Sequence, residues 1–188
     1  MNTVHNGYNE IDLYNRLKVQ DRSAMKDFYT STVGYLGGVC SRYIQDNDKV
    51  KDILQEAYIK IFKSIDKFQF RGEGSLKAWV TRIVVNDCLK SLKKNKNLPL
   101  LDNMYPDISE EDESDPGFGD LPMDVILGMI RSLPDGYRAV FNLYVFENKS
   151  HKEIASMLGI KENSSASQYF RARMMLIKMI EEYRKQHR

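Results

Sequence analysis

The segment "DKVKDILQEAYIKIFKSIDKF" constrains the fold more than any other. Val50, Ile53, Leu54, Ala57, Tyr58, Ile61 and Ile65 recur at spacings of three and four, which places them on one face of a helix. Burying one such aliphatic side chain contributes roughly 1.5–3 kcal/mol, so the stripe needs a partner surface. The opposite face carries Asp52, Gln55, Glu56, Ile59 and Lys63. A single exposed isoleucine is ordinary, but Ile59 in its polar ring can also anchor a partner.

The next segment, "FQFRGEGSLKAWVTRIVVNDCLKSLKKNK", breaks at its glycines, and Ser75 can cap a second helix. Leu76, Val80, Ile83, Val84 and Cys88 face inward on it. Arg82, Asn86, Lys90 and Lys93 share another face, with Trp79 at its edge. Lys93, Lys94 and Lys96 suit the negative end of a helix, so a charged last turn beside a core tryptophan is one reading. The other is a basic groove with an aromatic edge. Cations hold phosphates there, and rings stack on unpaired bases at about 1–3 kcal/mol each.

Further on, "LPDGYRAVFNLYVFE" opens a helix with Pro134 in its first turn and Val140, Phe141, Tyr144 and Val145 on its apolar side. "SHKEIASMLG" then begins with a Ser150–Glu153 capping box and ends on Gly159. After the turn "IKEN", Asn163 or Ser164 caps a longer helix whose inward stripe is Tyr169, Ala172, Leu176 and Ile180. Helix, glycine-containing turn, helix is the helix-turn-helix pattern.

Neither half alternates like a strand, so the fold class is all-α. The stretch from Leu100 to Ile130 has no Lys or Arg and holds nine acidic residues, with Pro and Gly among them. It divides two helical domains, residues 1–96 and 123–188, by an acidic linker, 97–122. The net charge of +2 conceals this: outside that stretch 28 basic residues face only 17 acidic ones. Such basic bodies suit a polyanionic partner, although solvated surfaces give the same count.

Several classes fall away. Cys40 and Cys88 form no CxxC pattern and read as buried or free thiols. His5, His151 and His187 are scattered, so no metal ligand set and no cofactor is expected. A nucleotide loop at "RGEG" would need a preceding strand. A nuclease would need carboxylates in a preorganised cluster, and the acids here are concentrated in the linker. No catalytic residue is expected. The polar start "MNTVHNGYNEID" and the lack of a long apolar run point to the cytoplasm and against membrane insertion.

Taken together, "DILQEAYIKIFKSIDKF", "FRGEGSLKAWVTRIVVNDCLKSL" and "SLPDGYRAVFNLYVFENKSHKEIASMLGI…RAR" resemble a bacterial RNA polymerase sigma factor of the extracytoplasmic-function group of the sigma-70 family. The resemblance covers about residues 10–96 and 123–185. It implies a promoter-specificity subunit without catalysis of its own, whose partners are core RNA polymerase, promoter DNA and an anti-sigma factor. It implies that Asp52, Gln55, Glu56, Ile59 and Lys63 face the polymerase. It gives the downstream promoter element to Phe70, Trp79, Arg82, Asn86, Lys90, Lys93 and Lys94, with Asn86 at a flipped base. The upstream element falls to Ser164, Ser165, Ser167, Gln168, Arg171 and Arg173. The family's early basic residues in that last helix are replaced here by Ala166, Ser167 and Gln168. Hydroxyls, an amide and Arg171 would then read the DNA, with Arg173 nearer the core side. The rival reading is a helix-turn-helix regulator that binds duplex DNA without polymerase.

Overall fold

The computed structural model describes residues 9–94, 118–119 and 121–187, and all regular structure among them is helical. The chain divides into two compact units, Met1–Cys88 and Leu89–Arg188. The expected linker, 97–122, lies outside the described residues except at 118–119 and 121–122.

The first unit holds α1 (Glu10–Lys18), α2 (Arg22–Tyr43), α3 (Asn47–Ser64), a 3-10 turn (Ile65–Lys67) and the greater part of α4 (Ser75–Lys94). Side-chain oxygens start the first three helices. Asn9 accepts from the Ile11 N–H, Asp21 from Ser23 and Ala24, and Asp46 from Asp48 and Lys49. The stripe on α3 is buried as its spacing predicts, with Ala57 and Ile61 fully so and Leu54 half-buried. It packs on α2, where Phe28 lies edge-on to Tyr58 and Phe62. On α4, Leu76, Val80, Val84 and Cys88 are buried as expected, while Ile83 is half-buried. Cys88 Sγ lies 3.4 Å from Cys40 Sγ on α2, and both are free thiols. The Cys40 contact, with burial, pushes the Cys88 thiol far above its ordinary range.

The second unit holds α5 (Met123–Ser132), α6 (Asp135–Val145), α7 (His151–Leu158) and α8 (Glu162–Gln186). Its core joins Ile130, Leu133 and Phe141 to Ala172 and Leu176 of α8. The Ser150–Glu153 capping box forms in full, and Gly159 ends α7 at φ 74°, a conformation costly for any residue with a Cβ. The Ser150 backbone N–H, then Lys149, lowers the Glu153 carboxyl to about 2.

Two expectations for this unit need correction. On α6, Ala139, Val140, Phe141 and Leu143 are buried, but Tyr144 is half-buried and Val145 is exposed. Helices α7 and α8 both pack on α6, so burial there is wider than one stripe, and Val145 emerges where the helix ends. The last helix starts at Glu162, with Lys161 at its cap position and no side-chain cap, so neither Asn163 nor Ser164 serves as the cap.

Candidate functional site

Three surfaces gather the residues singled out above. The first is the outer face of α3. Asp52, Gln55, Glu56, Ile59 and Lys63 are all exposed, and Ile59 shows 54% of its surface. Beside them Lys60 lies 3.7 Å from Glu56 and 2.8 Å from Asp87, a buried acid of α4. That bridge ties the register of α3 to α4 and leaves Ile59 as the apolar point of the face.

The second surface lies along α4. Arg82, Asn86, Lys90, Lys93 and Lys94 are exposed, and the spacing of the first four sets them along one side of the helix. The aromatic edge is more elaborate than the sequence suggests. Trp79 is half-buried and stacks on Phe68 at 4.9 Å, while Phe70 stacks on Tyr14 of α1 at 5.6 Å. Tyr14 also lies edge-on to Phe68 at 5.5 Å and donates its hydroxyl to the Phe68 carbonyl at 2.7 Å. The loop between these rings turns at Gly72 and Gly74, with φ of 111° and 82°. Those angles explain the two glycines of "RGEG", since a side chain there would be strained. Ser75 opens α4 and donates to the Gly72 carbonyl at 2.6 Å, but the outside cap is Glu10, whose carboxylate accepts from the Gly74 and Leu76 N–H groups. Sequence reasoning missed Glu10, Tyr14 and Phe68. Local spacing could not link Glu10 to a helix start more than sixty residues later.

The third surface is the start of α8, and here the structure redraws the site. Ser165, Gln168 and Arg173 are buried, so these three side chains do not face a groove. Ser165 Oγ is 3.0 Å from His151 Nδ1 at the head of α7, and the Arg173 guanidinium lies 5.9 Å from the Tyr169 ring centre. His151 is itself stacked on Tyr144 at 4.8 Å, and burial lowers its pKa while Glu162 pulls it the other way. Their physical reason is register: residues 165, 168, 172 and 176 share a stripe, so Ser165 and Gln168 continue inward the line of Ala172 and Leu176. Ser164, Ser167 and Arg171 are half-buried, and Lys152, Lys161, Asn163 and Ala166 are exposed around the turn.

Among the described residues no group of three or more His, Cys, Asp or Glu side chains could hold a metal ion. No helix there is long and apolar enough to cross a membrane.

The family model for sigma-70 region 2 matches residues 28–98, and that for sigma-70 region 4 matches 123–176. The chain is 27% identical over 179 residues to the ECF RNA polymerase sigma-E factor of Haemophilus influenzae, covering 87% of this chain and 91% of that one. It is 26% identical over 172 residues to the ECF RNA polymerase sigma-E factor of Escherichia coli K12, covering 86% and 88%. It is 24% identical over 133 residues to the ECF RNA polymerase sigma factor SigM of Bacillus subtilis, covering 70% and 80%.

Proposed function

We propose a division of labour within this chain, which belongs to the sigma-70 family as an extracytoplasmic-function RNA polymerase sigma factor and acts in transcription initiation. Its domains are residues 1–96 and 123–188, joined by the acidic segment 97–122. The first binds polymerase and the downstream promoter element, and the second binds the upstream element. The chain performs no catalysis of its own; its work is binding and positioning in the cytoplasm. An anti-sigma partner follows from family membership, not from any one residue.

The observation that carries this reading is the exposed row Arg82, Asn86, Lys90 and Lys93 beside the Trp79–Phe68 stack. A row of cations can hold phosphates of a single strand, an amide can read the edge of an extruded base, and aromatic rings can support it. Duplex binding would need no such edge. At the upstream element, burial of Ser165, Gln168 and Arg173 transfers contact to Lys152, Lys161, Asn163, Ser164, Ser167 and Arg171. The outer face of α3 meets polymerase, with Ile59 as its apolar anchor. The rival regulator that needs no polymerase would use the second unit alone, whereas the matched regions span both.

In-vitro transcription with purified core polymerase and a promoter library tests the function, with sequence-selective starts expected only when this chain is added. Ile59→Glu tests the α3 face. Loss of a hot-spot anchor weakens binding roughly 30-fold, while the melting temperature of the free chain holds. Unchanged capture by core polymerase would remove α3 from the interface.

A further inference from the structure

We propose that α1 braces the loop leading into α4, Phe68 to Gly74, with Glu10 as a positioning residue for promoter opening and Tyr14 as its partner. The proposal rests on the reading of α4 given above. The loop from Phe68 to Gly74 has little of its own to fix it. Two of its residues sit at positive φ, and Ser75 supplies its local bonds, donating to Gly72 and accepting from the Arg71 N–H at 3.2 Å. A backbone this permissive loses much freedom when it is held in one shape.

The hold comes from α1. The Glu10 carboxylate takes the Gly74 N–H with one oxygen and the Leu76 N–H with the other, the second at 3.1 Å. A carboxylate on helix-start N–H groups is charge-assisted and also meets the positive end of α4. One turn along α1, Tyr14 holds the Phe68 carbonyl and packs against both Phe68 and Phe70. Phe68 in turn stacks on Trp79. A continuous set of contacts therefore runs from α1, through the loop, to the aromatic edge of the basic row. Glu10 and Tyr14 are one helical turn apart, so a single face of α1 sets both ends of the loop. Neither residue has to touch DNA. They place the rings and the first turn of α4 before DNA arrives, which lowers the ordering cost of capture.

The test uses the full chain assembled with core polymerase on a promoter recovered by the transcription selection. Trp79 is the chain's one tryptophan and stacks on Phe68, so its quenching by acrylamide, read on the free full chain where no polymerase tryptophan contributes, reports how the loop is packed. Glu10→Ala should raise that quenching and lower open-complex yield, read by permanganate, by at least about tenfold, since it removes both charge-assisted hydrogen bonds and one alone is worth about that factor. Affinity for core polymerase should stay unchanged. Tyr14→Phe keeps the ring stack and loses only the donor, so it should give the same pattern with a smaller amplitude. A fall of opening and polymerase affinity together, in step with the melting temperature, would make Glu10 merely structural and overturn the proposal. Normal opening in Glu10→Ala while Asn86→Ala still impairs it would overturn it as well. Normal opening in both variants would instead sink the α4 reading, and the brace with it.

Discussion

Helices α4 and α8 each carry polar residues that their sequences offer to DNA, and the structure treats them in opposite ways. On α4 the row Arg82, Asn86, Lys90, Lys93 and Lys94 stays exposed. On α8, Ser165, Gln168 and Arg173 turn inward. The difference lies in what each helix packs against. Inward positions on α4 are filled mainly by apolar residues, Leu76, Val80, Val84 and Cys88, so its charged side has nowhere to go but out. The second unit builds part of its interior from polar groups. Arg138 is buried and donates to the Arg131 and Leu133 carbonyls, at 3.2 and 2.6 Å, and to Asp135. Asn142 donates to the Arg138 carbonyl at 2.8 Å, and His151 meets Ser165. A polar residue is therefore a dependable sign of an outer face only where the core has no use for it.

The largest effect that would break this contrast is in the second unit. Arg138→Ala strands the carbonyls at the turn between α5 and α6 and leaves Asp135 without its cation. Removing one member of a fully buried ion pair costs about 3–5 kcal/mol, an upper bound here because Asp135 is partly exposed; urea denaturation followed by circular dichroism should still show early loss of part of the helix signal. A shift below about 0.5 kcal/mol, typical of surface sites, would mean the polar interior contributes little.

Asn86→Ala asks the reverse question of α4. Stability should hold within about 0.5 kcal/mol, while open-complex yield falls roughly tenfold as an edge contact to an extruded base is lost. Normal melting of promoter DNA in a permanganate footprint would count against that face.

Gln168→Met separates a core role from a reading role at one position. As an apolar replacement of similar shape for a buried amide it should cost at most about 1–3 kcal/mol, the loss if one hydrogen-bond partner is left unsatisfied, and promoter selectivity in the library assay should not move. A changed preference at the upstream element would show that Gln168 reaches DNA after all.

The smallest effect is on pH. His151 has a lowered pKa in the fold, so its neutral form is favoured there; the stability this gives is complete above the ordinary value of 6.5 and is lost as pH falls below it. Glu153 lies at about 2 against an ordinary 4.5, so its contribution is complete above 4.5 and drains away as pH falls from 4.5 toward 2. Melting temperature should thus fall in two acid windows. His151→Gln should flatten the upper and Glu153→Gln the lower; an unchanged profile in both variants would remove these groups as its cause.

What was legible in the sequence follows the same physics. The α3 stripe and its outer face are set by clean periodicity over eighteen residues, and every outer residue named from it is exposed. The capping box and Gly159 are short-range chemistry, readable at three to nine residues. The α6 side was misread at Val145 because burial on several sides erases periodicity. On α8 the burial of Ser165 and Gln168 was not legible, because Ser and Gln at core positions carry the same letters as Ser and Gln on a surface. Glu10, Tyr14 and Phe68 were invisible because their meaning lies in α1 meeting the head of α4, a contact between segments far apart along the chain.

The thiol pair described in the fold has a practical consequence. Cys40 and Cys88 are the chain's two cysteines, both are wholly buried, and neither lies on a proposed contact surface. A maleimide dye has no native target on the folded protein, because both thiols are shielded and, at Cys88, the reactive thiolate is also disfavoured. A cysteine introduced on the α3 or α8 surface would accept a label at that place alone, without first stripping the native pair. Conversely, the rate at which the two native thiols become reactive is a clock for opening of the interior between α2 and α4, readable in the unmodified chain.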